Sequence, residues 1–221
     1  MKALIIGGTA GFGKNVAETL KNKGFDTVVI GRSYSGDTGG YVCDVGNLND
    51  WKNIIEKIKQ SHEVFDVIFF IVGYARAKSS KDLTDKDWAE HFTKNITYVA
   101  LGLQSFNGTI IVTIGSQWSY KVGNDELVPY TVSKHALHVL TKDFAARNPN
   151  MIVNHYCVPT MDTPQNRDVR KSFDDIGKEF VSKELADNQQ IAEALVGHCI
   201  EYKKTGKLLI VKSGSIEETD Q

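Results

Sequence analysis

The chain is expected to fold as an α/β domain, a doubly wound parallel sheet of about seven strands in a three-layer α-β-α arrangement. Three observations predict this. Short apolar runs alternate with helical patterns along most of the 221 residues. Several runs are apolar at every position, which suits strands covered by helices on both faces. The first run, Lys2-Ala-Leu-Ile-Ile6, passes straight into a glycine loop, Gly7-Gly8-Thr9-Ala10-Gly11-Phe12-Gly13, and then into a helical pattern.

The strands are read as Ala3–Ile6, Thr27–Ile30, Tyr41–Cys43, Val67–Val72, Thr109–Ile114, Met151–Cys157 and Lys207–Val211. Helices are expected to begin near Gly13, Asn49, Asp85, Tyr130 and Asn188. In the first of them Val16, Ala17 and Leu20 share a face. Trp88–Leu103 reads as one helical segment. Between the second and third strands lie Gly31-Arg-Ser-Tyr-Ser-Gly-Asp-Thr-Gly-Gly40, turn formers fewer than the dozen or so residues of a helical crossover, so a loop without regular helix is expected. The polar stretch Thr160 to Asp187 reads as a lid or binding loop (residues 160–187), with one short helix around Ser172–Ser182. No repeat or linker divides residues 1–221, which are read as a single domain.

Composition narrows the function classes. A formal net charge of −1 and the lack of any basic cluster argue against a nucleic-acid surface and an anionic membrane. The longest apolar run, Val67–Ala75, is too short to span a bilayer. The N-terminus is strand-like and lacks a cleavage pattern. Cys43, Cys157 and Cys199 form no C-x-x-C pair and sit in apolar stretches, so they read as buried hydrophobes in a reducing compartment. A cytoplasmic location is the expectation.

Several residues are placed for chemistry. Glycines at 7, 11 and 13 let the backbone turn sharply and approach a ligand, and the helix that follows aims its positive end at the loop. This spacing differs from G-x-G-x-x-G. The second strand ends at Ile30-Gly31-Arg32-Ser33. A carboxylate there would bind a free ribose 2′-hydroxyl, whereas Arg32, with Ser33 as a small donor, suits a 2′-phosphate; the reading is NADP(H). Tyr130 and Lys134 are one helical turn apart, so an ammonium would neighbour a phenol and pull its pKa down. Such a pair also arises by chance on surface helices. Ser116 follows the fifth strand and Gly115, at a carboxyl strand end and fourteen residues before Tyr130, where a hydroxyl can bond a developing oxyanion. Asn95 is an unusual amide for a core-facing helix unless it has partners.

Together these residues resemble those of the short-chain dehydrogenase/reductase family, whose Rossmann-like fold would cover the chain from Gly7 to about Gly214. Its glycine motif matches Gly7, Gly11 and Gly13, with Thr9 and Phe12 between them. Its Asp-Val after the third strand matches Asp44-Val45, and its Asn-Ser-Tyr-Lys tetrad falls on Asn95, Ser116, Tyr130 and Lys134. The turn after its sixth strand, with a Thr near the nicotinamide, resembles Pro159-Thr160-Met-Asp-Thr163-Pro164. The resemblance implies hydride transfer between a nicotinamide and a carbonyl or secondary alcohol. Tyr130 would exchange the proton, Ser116 hold the oxygen, Lys134 tune Tyr130 and bind ribose, and Asn95 hold a water. Gly7, Thr9, Gly11, Phe12, Gly13, Arg32, Ser33, Asp44, Val45, Gly73, Pro159 and Thr163 would line the cofactor.

The chain also departs from the family pattern. Phe70-Ile71-Val72-Gly73 stands where the family has Asn-Asn-Ala-Gly, and Thr160 replaces the glycine of the Pro-Gly turn. His135 and His138 are three apart without a third ligand and read as helix packing, so no metal is expected. Trp118 and Met161 read equally as substrate-bordering or as core. The implied partner is a small carbonyl or alcohol. A homodimer or homotetramer is expected through the helices of Asn95 and Tyr130, the latter with Val132, Leu137 and Leu140. A sensor or scaffold that binds NADP without turnover is the alternative. A sugar-nucleotide epimerase is disfavoured, because only 87 residues follow Lys134.

Overall fold

A computed structural model describes residues 1–33, 39–61, 64–180 and 185–219. Its single sheet has eight strands: β1 (Lys2–Ile6), β2 (Asp26–Gly31), β3 (Gly40–Val42), β4 (Phe65–Phe70), β5 (Gly108–Ser116), β6 (Ile152–Val158), β7 (Leu208–Lys212) and β8 (Ser215–Thr219). Their order is β3-β2-β1-β4-β5-β6-β7-β8. All pairs are parallel except the last, in which β8 runs antiparallel to β7. The sheet therefore winds outward in both directions from the boundary between β1 and β4, and a crevice opens beyond the carboxyl ends of those strands.

The helices are α1 (Gly11–Asn22), α2 (Leu48–Ser61), α3 (Asp85–Phe92), α4 (Tyr98–Leu103), α5 (Val128–Arg147), α6 (Pro164–Asp175) and α7 (Asn188–Glu201). Strand periodicity sorts the core into two layers. Leu4, Ile6, Val28, Ile30, Ile68 and Phe70 face α2, α4 and α5. Ala3, Ile5, Val29, Val67 and Phe69 face α1 and α7. No helix among the described residues is long and apolar enough to cross a membrane.

Four local expectations are corrected. β4 starts at Phe65, paired with Gly108, and leaves the ladder after Phe70; Ile71 keeps only a backbone bond from its N–H to Ile6 O (2.9 Å). The eighth strand carries the polar sequence Ser-Ile-Glu-Glu-Thr and exists through its pairing with β7. The helix expected around Ser172–Ser182 begins at Pro164 and ends at Asp175. Thr163 caps it by accepting the Asn166 N–H, and proline favours a helix's first turn. Val169 and Phe173, one turn apart, are its buried face. Residues 181–182 of that expectation, and 34–38 of the expected loop, lie outside the described residues.

The segment Trp88–Leu103 is the fourth. It is divided: α3 passes into a π-helical turn, Thr93–Thr97, before α4 begins. Asn95 sits on that turn, fully buried. Its Oδ1 accepts the Tyr74 N–H (2.8 Å), and its Nδ2 donates to Tyr74 O (2.9 Å) and Ser133 Oγ (2.9 Å). The Tyr98 hydroxyl donates to Val72 O (2.8 Å). These two side chains hold the loop after β4, while Phe70 packs in the core. Cutting Asn95 to alanine strands the part-buried Tyr74 N–H and C=O and removes a partner of the buried Ser133 hydroxyl. The expected cost is about 2–4 kcal/mol, a fall in Tm of roughly 4–16 °C, checked by thermal denaturation against wild type.

Candidate active site

The glycine loop joins β1 to α1. Gly7 (φ 98°) and Gly11 (φ 52°) lie in the left-handed region that favours glycine. A Cβ at Gly13 would lie 2.0 Å from Gly7 O, so only glycine lets the first turn of α1 close onto the loop. Ala10, at the N-cap, makes no side-chain cap, and the first turn of α1 carries no acid. At the end of β2, a Cβ on Gly31 would meet Thr9 Oγ1 at 1.9 Å. A carboxylate therefore has no room at position 31, and Arg32 is the first exposed side chain past the strand.

These elements open onto one cleft of about 780 Å³ at the carboxyl ends of the strands. Gly7, Thr9, Gly11, Phe12, Gly13, Arg32, Asp44, Val45, Gly73, Ser116, Tyr130, Lys134, Pro159 and Thr163 all line it. Two expected site residues do not. Ser33 is exposed outside the lining, and Asn95 is buried behind it. Both hydrogens of the Asn95 amide are engaged by protein, which leaves a lone pair of Oδ1 as its remaining hydrogen-bonding capacity.

Ser116 ends β5 and caps a short 3₁₀ turn, Gln117–Ser119. Its Oγ accepts the Trp118 N–H (3.1 Å), which leaves the hydroxyl hydrogen available. Tyr130 and Lys134 project from α5 and are buried. The Lys134 ammonium donates to Ile114 O (2.9 Å) and lies 5.8 Å from the Tyr130 ring centroid. Burial pulls the Lys134 pKa down to about 8. Burial also pushes the Tyr130 phenol up to about 12, only partly offset by the Ser116 hydroxyl. The direction is opposite to the expectation that Lys134 lowers Tyr130, because desolvation of a phenolate at this depth is the dominant cause.

An apolar patch forms part of the cleft wall, beside polar and charged lining residues such as Glu126, Asp168 and Lys178. Leu127, Tyr130, Val169 and Phe173 pack with Ala75 and Ala77, flanked by Trp118 and Phe180. Trp118 is thus on the cleft wall, and Met161 is both core and lining. Val169 and Phe173 were missed in sequence because α6 was misplaced; Thr163-Pro164 was the available signal. His135 and His138 lie on α5, and no cluster of three metal-ligating side chains occurs among the described residues. The apolar set Val132, Leu137 and Leu140 does not form one outer face. Leu137 is in the core and Leu140 packs against it, leaving Val132 and Val139 outward.

A family model described as short chain dehydrogenase matches residues 1–173. The chain belongs to the short-chain dehydrogenase family. Among short-chain dehydrogenase relatives, it is 27% identical over 185 residues to a 3beta-hydroxysteroid dehydrogenase of Mediterraneibacter gnavus, covering 73% of this chain and 66% of the relative. It is 25% identical over 172 residues to an uncharacterized oxidoreductase of Bacillus subtilis, covering 68% and 65%. These matches thus span slightly under two thirds of either relative. A solved short-chain dehydrogenase family protein from Francisella tularensis superposes with a TM-score of 0.81 at 27% identity, covering 96% of this chain and 97% of that one. Phe70-Ile71-Val72 is thus a variation within the short-chain dehydrogenase frame, with Asn95 and Tyr98 bracing the loop.

Proposed function

We propose that the protein is an NADP(H)-dependent reductase of small apolar carbonyl compounds, able to run in reverse on secondary alcohols. The observation that carries this reading is the convergence of Ser116, Tyr130 and Lys134 on one cleft with the glycine loop. The uncapped, acid-free start of α1 suits a phosphate, and the glycines leave backbone room for it. A nicotinamide cofactor bound along Gly7–Gly13, Asp44-Val45 and Gly73 would supply the hydride. Tyr130 keeps its proton at neutral pH and gives it to the carbonyl oxygen as negative charge develops there. Ser116, whose hydroxyl faces the Tyr130 phenol, donates its hydrogen to the same oxygen. Lys134, its ammonium 5.8 Å from the Tyr130 ring centroid, holds positive charge beside the phenolate that is left.

Arg32 at the cleft lip and the closed position 31 support NADP(H) over NAD(H). The apolar patch around Leu127, Val169 and Phe173 supports an apolar, ring-bearing substrate. The steroid name of one relative is in keeping with that class. A soluble cytoplasmic protein that pairs through α5, where Val132 and Val139 face outward, completes the proposal.

The test is a panel of aldehydes, ketones and quinones with NADPH and NADH, read at the nicotinamide absorbance. Wild type is expected to favour NADPH. Arg32→Ala is expected to lose about 10–100-fold in kcat/KM with NADPH, the worth of one charge-assisted contact, with little change for NADH. A wild type that prefers NADH contradicts the cofactor assignment. Tight NADPH binding without turnover on any carbonyl would favour a sensor.

A further inference from the structure

Behind Ser116 lies a buried hydrogen-bonded chain that the reaction just described does not use. It links β5, the 3₁₀ turn, β6 and α5 through Ser119, His155, Thr113 and Thr141, each at most 1% exposed. The direction of every bond follows from counting hydrogens. Thr141 Oγ1 donates to Leu137 O (2.7 Å), so it accepts from Thr113 Oγ1 (2.8 Å). Thr113 has then used its one hydrogen and accepts from His155 Nδ1 (2.7 Å). Burial keeps His155 neutral, its pKa well below the usual histidine range. With its hydrogen on Nδ1, Nε2 is a bare lone pair, and Ser119 Oγ donates to it (3.0 Å). Ser119 Oγ in turn accepts the Ser116 N–H (3.2 Å).

The packing is specific to this arrangement. A Cβ on Gly115 would lie 2.2 Å from His155 Nε2 and 2.5 Å from Ser119 Oγ, so the strand leaves out a side chain where the pair meets. The His138 ring stacks on His155 at 5.5 Å between centroids. The result is a turn whose two ends are fixed. Ser119 holds the Ser116 backbone, and the Trp118 N–H holds the Ser116 Oγ. The Ser116 hydroxyl hydrogen is left on the cleft side, where it faces the Tyr130 hydroxyl.

We propose that His155 is a positioning residue for the reaction, acting through Ser119 to fix the turn that aims the Ser116 hydroxyl at the reacting oxygen. This rests on the reductase reading above. The test compares wild type, Ser116→Ala, Ser119→Ala, His155→Asn and His155→Gln on the panel's best carbonyl substrate with NADPH. Turnover by wild type and its loss in Ser116→Ala check the reductase reading separately. Asparagine keeps a donor near Nδ1 and loses the acceptor for Ser119, whereas glutamine places an acceptor near Nε2. Ser119→Ala and His155→Asn are each expected to lower kcat about tenfold, less than the roughly 10²–10³ of a lost direct donor. KM for NADPH should stay within about twofold, since no cofactor contact changes. His155→Gln should recover most of the loss. The double variant Ser119→Ala/His155→Asn should be no slower than Ser119→Ala, because both changes cut one chain.

A second readout needs no turnover. Nitrogen–proton correlation spectra of the wild-type imidazole should show Nδ1 protonated and Nε2 bare, with the Nε2 signal displaced in Ser119→Ala. Should His155→Asn fail to fold, Ser119→Ala kinetics and the wild-type tautomer decide alone. An Nε2–H tautomer overturns the proposal. So does a Ser116-dependent reaction indifferent to Ser119, or fully additive losses in the double variant. A wild type with no turnover instead overturns the reductase reading on which the role depends.

Discussion

Tyr130→Phe is expected to lower kcat for carbonyl reduction by about 10²–10⁴-fold, the usual contribution of a positioned proton donor. The substitution isolates the hydroxyl. The ring packs with Ala75, Leu127, Val169 and Phe173, and phenylalanine keeps those contacts. Tm should therefore move little, and a folded, inactive variant is the expected result in a paired stability and turnover assay. The phenol's elevation to about 12 adds a directional consequence. In reduction the acid form is already present throughout the neutral range, so the rate should be nearly flat from pH 6 to 7 and fall only as Lys134 loses its charge near pH 8. In alcohol oxidation the phenol must first lose its proton, so that rate should climb with pH across the same interval. A Tyr130→Phe enzyme as fast as wild type would remove Tyr130 from the mechanism.

Lys134→Met is expected to do two opposed things: abolish most turnover and stabilise the fold at neutral pH. Its ammonium is buried, and burial drags its pKa from the ordinary 10.5 to about 8. The sign follows from proton binding. Between about pH 8 and 10.5 the unfolded chain holds a proton that the folded chain has released, so stability rises with pH there. Below about pH 8 both states are protonated and the folded state carries the full desolvation cost. That cost is of order 3 kcal/mol by the size of the shift, before the bond to Ile114 O is counted. Methionine fills a similar volume without charge. Its Tm advantage over wild type should be a few °C at pH 7 and shrink toward pH 10, as measured by thermal denaturation. Tyr130 contributes the reverse trend, since its raised pKa makes stability fall between pH 10 and about 12. A methionine variant less stable than wild type at pH 7 would mean that the Lys134 hydrogen bond outweighs its desolvation.

The strands that form the crevice were legible because burial on both faces demands continuous apolar runs. Ala3–Ile6 and Thr27–Ile30 announce themselves in that way. The glycines were legible because steric room at Gly7, Gly11 and Gly13 has no substitute. Features set by tertiary partners were not legible. β8 has a polar sequence and is a strand only beside β7. The π-helical turn at Asn95 leaves the helical periodicity almost intact, so Trp88–Leu103 reads as one helix. The direction of the Tyr130 pKa is not legible in sequence, because spacing reveals Lys134 as a neighbour but not how dry the site is. His155 carries a signal in its place in the sequence. It is a histidine inside the strand-like run Met151–Cys157, where a buried polar ring needs partners. Ser119 and Thr113 are those partners, and neither stands near it in sequence.

The most direct test of the central claim follows the reducing atom itself. NADPH carrying deuterium at the transferable C4 position is incubated with the protein and a ring-bearing ketone, and the alcohol is analysed by mass spectrometry. The expected result is an alcohol one mass unit heavier, formed by wild type, with its yield reduced at least a hundredfold in Tyr130→Phe in line with the weight of a proton donor. NADPH bound at the Gly7–Gly13 loop with no deuterium reaching any carbonyl of the panel would contradict the account.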